Sequence, residues 1–558
     1  LTLSQVKSFA TNSSADFEIE YIKIWIRKPN KRHTLLELQV HPSIDNPHSF
    51  DFTLLDLKPE RPFHPVVDPQ QIDPNLLKYW LRMCKTTRPL VQDLKPKVYH
   101  KIAGLKLVDV QTNRVIAAPA NSTYIALSYV WGRTKQFRIE NADFVTNASG
   151  GSYAQLNREE LPCTIRDAIF VVESLGKRYI WVDALCILED GETEMRAMIH
   201  TMDRVYKNAT LTIVAACGED SNAGLPGLRL GSRTAKYVTG SVDGTHLVSE
   251  NYDGDLSSYL NISTWGHRGW AYQEYVFSDL VLIFVNQHVY FESGNRVWSG
   301  FSPNRSVLGR RSNPITHSQL SFDNYAKHVL AYTKRSLTFE EDILNAFTAI
   351  LQDHSARFAT KFCWGLPTQH FPEALMWVYT SDVGFPVQLR RRVKRKGYVT
   401  FPSWSWAGWI GAVEFVKFEK PHFRAPKLVS NITWPWESGV HTALDDSIFS
   451  NSVLTINVDL GTLNSFHYSS VDDVRFCQLD IGKQWTRGSV ECFLLAHVDD
   501  PAPFAQHVGY LHNYRLYDHV LLAVEKGEDG IYCRIGCFRV SEAFWATSDF
   551  ERKQIRLG

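Results

Sequence analysis

Residues 124–132 read YIALSYVWG. A short apolar run interrupted by one serine, then Trp131-Gly132, has the pattern of a buried strand closed by a sharp turn. The same pattern returns in RYIWVDALCI at 178–187 and in ATLTIVAA at 209–216. Between the first two runs, LPCTIRDAIFVVESLG (161–176) places Ile165, Ala168, Ile169 and Val172 at helical spacing, with Gly176 as the stop. Between the second and third, EDGETEMRAMIHTMDRVYKNA (189–209) places Met195, Met198, Ile199, Met202, Val205 and Tyr206 on one helical face. Strand, helix, strand, helix, strand implies right-handed crossovers and a mostly parallel sheet. Ligands of such sheets bind beyond the carboxyl ends of the strands. The polar punctuation at those ends is Gly132-Arg133, Asp183 and Gly218-Glu219-Asp220.

Outward from this centre the character changes twice. Upstream, FEIEYIKIWI (17–26) alternates as a half-buried strand does, and the prolines at 59, 62, 65, 69 and 74 read as an extended connector. Downstream, SFDNYAKHVLAYTKR (321–335) and LTFEEDILNAFTAILQ (337–352) read as helices, the second capped by Thr338 with Glu341 three residues on. From about residue 398, short alternating runs such as SVLTINVDL, CFLLAHV, HVLLAVEK and IYCRIGCFRV predict strands. The division expected is an N-terminal mixed extension over 1–95, an α/β domain over 96–310, a helical segment over 311–395 and a β-rich domain over 396–558.

Bulk composition narrows the function classes. With 60 basic against 59 acidic residues, no strong field draws nucleic acid or an anionic membrane. No apolar run reaches the roughly 18 residues of a spanning helix. LTLSQVKSFATNSS at the start does not resemble a signal peptide. Nine scattered cysteines, only Cys533 and Cys537 close together, predict free thiols in the cytoplasm and no zinc site. The 16 tryptophans supply a core and also flat surfaces for a ring-shaped ligand. There is no G-x-G-x-x-G, P-loop, G-x-S-x-G or H-E-x-x-H pattern at a useful place.

Three segments carry a family resemblance. YIALSYVWG (124–132) resembles the LSYxWG opening of fungal heterokaryon-incompatibility (HET) domains. The stretch 178–227 resembles their second block, W-[IV]-D-x-x-C-I-x-Q-D followed by a helix and I-Y-x-x-A, except that Leu188-Glu189-Asp190 replaces x-Gln-Asp. That change keeps an acceptor and loses the amide donors. RGWAYQE (268–274) resembles the third block, R-x-W-[TA]-x-Q-E. The resemblance extends over about residues 95–420, through YTKRSLTFEEDILNAFTAI (332–350) and PSWSWAGW (402–409). It implies a role in non-self recognition and programmed cell death, and a distant kinship to TIR domains with their flavodoxin-like sheet. TIR relatives are signalling scaffolds or enzymes that cleave the nicotinamide–ribose bond of NAD with a glutamate in W-C-x-x-E. Trp270 and Glu274 have the same offset.

The chemistry implied is the stabilisation of an oxocarbenium-like ribose by a carboxylate. Glu274 is the first candidate, with Trp270 one helical turn away as an apolar wall; the alternative is a structural acid paired with Arg268, Arg133 or a backbone terminus. Asp183 is the second, because an acid ending an apolar run needs a partner; it binds a ribose or a substrate amine, or caps the following turn. Tyr129, Trp131, Gly132 and Arg133 form the first loop, where Gly132 permits close approach and Arg133 offers a phosphate clamp; the alternative is a tight turn with a solvated arginine. Cys186 reads as a filler thiol, and His267, a candidate general base beside Arg268, reads more readily as a lone surface or core imidazole. No cofactor is required, and NAD enters as a substrate. Three functions remain open: an NAD-cleaving enzyme, a non-catalytic module that self-associates or binds a partner protein, and a biosynthetic enzyme for a small aromatic or polyketide-like molecule.

Overall fold

The computed structural model describes residues 70–87, 102–133, 137–146, 151–188, 198, 201–233, 256–300, 322–379, 390–392, 401–415, 453–463, 490–497, 519–540 and 550–558, with further strands at 19–27, 35–42, 50–54, 238–242, 245–250, 306–308, 427–428 and 474–475. They belong to two compact units, Leu1–Asn313 and Pro314–Gly558.

The first unit is built on an 11-stranded sheet. Its elements in chain order are α1 (Pro74–Thr87), β1 (Lys106–Asp109), β2 (Arg114–Ala117), β3 (Tyr124–Tyr129), β4 (Phe144–Thr146), β5 (Ser152–Gln155), α2 (Cys163–Ser174), β6 (Tyr179–Trp181), α3 (Asp183–Cys186), α4 (Met202–Asn208), β7 (Leu211–Ala215), α5 (Leu256–Ile262), α6 (Gly269–Val276), β8 (Leu280–Val285), β9 (His288–Ser293), β10 (Arg296–Ser299) and β11 (Ser306–Leu308). The spatial order is β11-β10-β9-β8-β7-β3-β6-β1-β2-β5-β4. Strands β6, β3, β7 and β8 are mutually parallel neighbours. Every residue of β3 and β7 is buried, which explains their unbroken apolar runs. Burying each large aliphatic side chain here contributes roughly 1.5–3 kcal/mol.

The sheet is mixed rather than mostly parallel. Antiparallel pairs flank the parallel centre on both sides, β8–β9–β10–β11 on one and β6–β1–β2–β5–β4 on the other. Tight turns with a left-handed residue, Asn286 (φ 51°) after β8 and Gly294 (φ 57°) after β9, send the chain straight back instead of over the sheet. The second apolar run is also shorter as a strand than its composition predicts. Pairing stops at Trp181, and Asp183–Cys186 turns into one helical turn. Residues 189–197, where the following helix was expected to begin, lie outside the described residues.

The N-terminal segment does not close a sheet by itself. Strands Ile19–Arg27, Leu35–Pro42 and Phe50–Leu54 form a meander whose free side pairs with Thr245–Glu250, which continues to Val238–Val242.

In the second unit, α7 (Phe322–Thr333) matches its apolar spacing. The helix expected behind Thr338 begins later. Glu340–Ile343 and Asn345–Phe347 form 3-10 turns, and α8 spans Thr348–Phe358. β12 (Trp377–Tyr379) pairs with β13 (Val413–Phe415), so a ladder crosses the expected boundary at 395/396. A larger sheet contains β14 (Leu454–Leu463), β15 (Val490–His497), β16 (His519–Lys526), β17 (Tyr532–Val540) and β18 (Phe550–Leu557). Many of the tryptophans gather here. Trp377, Trp404 and Trp406 are fully buried, and the Arg534 guanidinium lies over the Trp377 ring while donating to the carbonyls of Leu375 and Trp377. That satisfies a buried cation with π density and backbone acceptors.

Candidate ligand site at the strand ends

Within the parallel centre, the chain enters at β3, moves outward to β6, and then crosses to the opposite side of β3 for β7 and β8. In chain order the four strands are arranged 2-1-3-4. The two crossovers leaving β3 therefore diverge, and the carboxyl ends of β3 and β7 border the place where a doubly wound sheet opens a crevice. Side chains from four elements, β3, α3, α4 and α6, converge at the carboxyl end of β3.

Ser128, the fifth residue of β3, donates its hydroxyl to Oε2 of Glu274 and accepts the indole N–H of Trp265 at 2.7 Å. Glu274 is brought from α6, whose residues Gly269 and Ala271 to Glu274 are buried and which packs against β3 and α4. The hydroxyl of Tyr206 on α4 stands beside the same carboxylate and donates to the Leu127 carbonyl at 3.2 Å. Glu274 is only 3% exposed. Burial raises its pKa above the usual carboxylate range; Arg268, Ser128 and Tyr206 oppose that rise and Asp183 adds to it.

Asp183 opens α3, directly after β6. Its Oδ2 accepts the Trp131 indole N–H at 2.8 Å, and its Oδ1 accepts the Ala184 amide at 2.7 Å. The residue keeps partial exposure while its carboxyl group lies deep among protein atoms. Burial raises its pKa too, against the pull of Arg268 and its three donor neighbours, Ala184, Trp131 and Tyr129. Tyr129, the last residue of β3, is buried and points its hydroxyl toward Asp183 without making a well-formed hydrogen bond to any described residue. Burial, followed by Asp183, drives its phenol far above the ordinary range.

Arg268 is the cation of the cluster. It precedes α6, donates to the Tyr129 carbonyl, and lowers the pKa of both Asp183 and Glu274. One guanidinium thus faces two carboxylates. The arrangement holds a negative pole at the ends of parallel strands, and its partly open member is Asp183 rather than Glu274.

The remaining expected residues are placed differently. Gly132 (φ 74°) serves packing: a Cβ there would overlap Asp220, and the adjacent Trp131 carbonyl accepts the Ser221 amide. The loop carrying Asp220 is fastened to α2, because Asp167 accepts the Leu225 amide at 2.7 Å and pairs with Arg229 at 3.1 Å. Arg133 and His267 are exposed, and Trp270 is partly exposed. Neither Arg133 nor Trp270 is brought onto the two carboxylates by any contact among the described residues. Arg138 stacks over the Trp131 ring at 5.3 Å. Cys186 is a buried thiol pushed up to about 12 by desolvation, unsuited to attack. Glu189, the departure within the second block, lies outside the described residues.

Sequence reasoning missed Ser128, Trp265 and Tyr206 as site members. Ser128 alone had a visible signal, being the one polar side chain inside an otherwise apolar buried strand. Tyr206 reads as an ordinary member of an apolar helical face.

Residues 124–274 match the family model described as Heterokaryon incompatibility protein (HET), so this stretch is a HET domain. All the clustered side chains fall inside it. Compared with curated proteins and with solved structures, the chain gives no match.

Proposed function

We propose that this protein acts in heterokaryon incompatibility, as a non-self recognition and cell-death factor, and that its HET domain binds a ribose-bearing ligand at Asp183 and hydrolyses the nicotinamide–ribose bond of NAD. The observation that carries this reading is the convergence of Asp183, Glu274 and Arg268 at the carboxyl ends of the parallel strands. The 2-1-3-4 order of those strands is that of a flavodoxin-like sheet, which supports the TIR-like reading of the domain.

In this reaction the bond between ribose C1′ and the pyridinium nitrogen breaks, and nicotinamide leaves neutral with the electron pair. Water adds to C1′ and releases one proton. The positive charge that develops on the ribose is offset by the Asp183 carboxylate, held at the open side of the cluster. Glu274 acts through Ser128 and Arg268 as a positioning group. The roles of the two acids are thus exchanged relative to the W-x-x-x-E analogy.

The test is product analysis after incubation with NAD. Nicotinamide and ADP-ribose are expected from the wild type. Asp183→Asn is expected to lower kcat by a factor on the order of 100 or more. Absence of products from the wild type would remove the hydrolase reading.

A second reading, a non-catalytic scaffold, is favoured by the closure of Glu274 against solvent. It predicts concentration-dependent assembly with no turnover.

A further inference from the structure

A carboxylate offers about four acceptor positions. Two on Asp183 are taken by the Trp131 indole and the Ala184 amide. Tyr129 brings a buried hydroxyl beside it that has no well-formed bond among the described residues. A buried hydroxyl without a partner costs free energy, so an unsatisfied donor next to an under-filled carboxylate marks a bond that forms when the site is occupied. With that bond made, one acceptor position is left on Asp183, a residue that keeps partial exposure.

We infer that Tyr129 is a positioning residue that, with Trp131 and Ala184, fixes Asp183 as an acceptor with one free position, and that this position selects a ligand hydroxyl, such as one of a ribose diol. The inference rests on the proposed ligand site and deepens it, because it names the ligand group that Asp183 reads. The charged and titratable groups facing Asp183 are Arg268 at the start of α6, Glu274 on α6, Tyr129 on β3, Tyr206 on α4 and Cys186 on α3 itself. None of the other neutral groups among them is directed at Asp183 as an unfilled donor. Tyr206 donates to the Leu127 carbonyl, and Cys186 bonds backbone.

The test is equilibrium binding to the full chain of ADP-ribose and of its analogue lacking the terminal-ribose hydroxyls. The wild type is expected to prefer the hydroxylated compound by roughly tenfold or more, the worth of one hydrogen bond to a charged acceptor. Tyr129→Phe, which keeps the ring, is expected to lose most of that preference, and so is Asp183→Asn, whose amide presents donors as well. A merely structural tyrosine would weaken binding of both compounds equally and leave the preference intact, which overturns the inference. Preference retained by Asp183→Asn overturns it as well, and covers the case in which the tyrosine variant fails to fold. Discrimination without NAD turnover keeps this inference and removes the hydrolase reading. Turnover without discrimination does the reverse. No binding of either compound overturns both.

Discussion

Glu274 holds its carboxylate inside the core, where Ser128 and Arg268 partly offset the cost of desolvation. Because burial places its folded pKa above that of the unfolded chain, the protonated form favours the fold. The stabilisation is fully present below the unfolded value and is lost as pH rises through the folded one. Glu274→Gln keeps the Ser128 contact and has no charge to bury. Its melting temperature relative to wild type is therefore expected to climb as pH rises from about 4. Thermal melts across pH check this, and a gap that shrinks with rising pH contradicts it. Arg268 carries the opposite prediction. Arg268→Met removes the cation that lowers the pKa of both acids and the charge-assisted bond to the Tyr129 carbonyl, and denaturant titration at neutral pH is expected to show a loss of about 1.5–3 kcal/mol. At this scale the sequence exposed Asp183, because an acid next to an apolar run must have a partner. It did not expose Trp265, which lies in STWG between recognisable blocks and reaches Ser128 only through folding.

The strand that ends at Trp181 and the turn that begins at Asp183 determine where the second carboxylate points. An apolar run of this length does not itself choose between strand and helix. Here β6 makes only three residues of strand, and α3 then carries Asp183 at its first position. The β3 turn is fixed more firmly. Gly132 combines a left-handed φ of 74° with backbone packed against Asp220. Gly132→Ala is expected to cost more than the ~1–2 kcal/mol of the left-handed conformation alone, since the Asp220 loop must also move. Chemical denaturation measures it, and a variant within about 0.5 kcal/mol of wild type is inconsistent with this packing. Three of the four parallel strands were legible as apolar runs, and so was α2. The antiparallel flanks were not, because their hairpins depend on single turn residues such as Asn286 and Gly294 rather than on periodicity.

At the scale of the molecule, the N-terminal strands and the 245–250 strand meet across nearly two hundred residues. No local pattern announces such a pairing, so 1–95 reads as a separate extension when its sheet is completed from within the next expected domain. The consequence is testable by truncation. A fragment covering 1–313 retains both partners, whereas one starting at residue 96 leaves Thr245–Glu250 without Phe50–Leu54. The shorter fragment is expected to aggregate or melt at lower temperature, as unpaired edges do. Equal solubility and melting of the two fragments would count against it. Among the described residues no helix is long and apolar enough to cross a membrane.

The placement of a ligand on the strand ends can be tested by hydrogen exchange of the full chain with and without NAD. Protection is expected together in the segments 128–133, 183–187 and 265–274, because one bound molecule contacts or tightens all three. Protection confined to other segments, or no change at saturating NAD, contradicts the account.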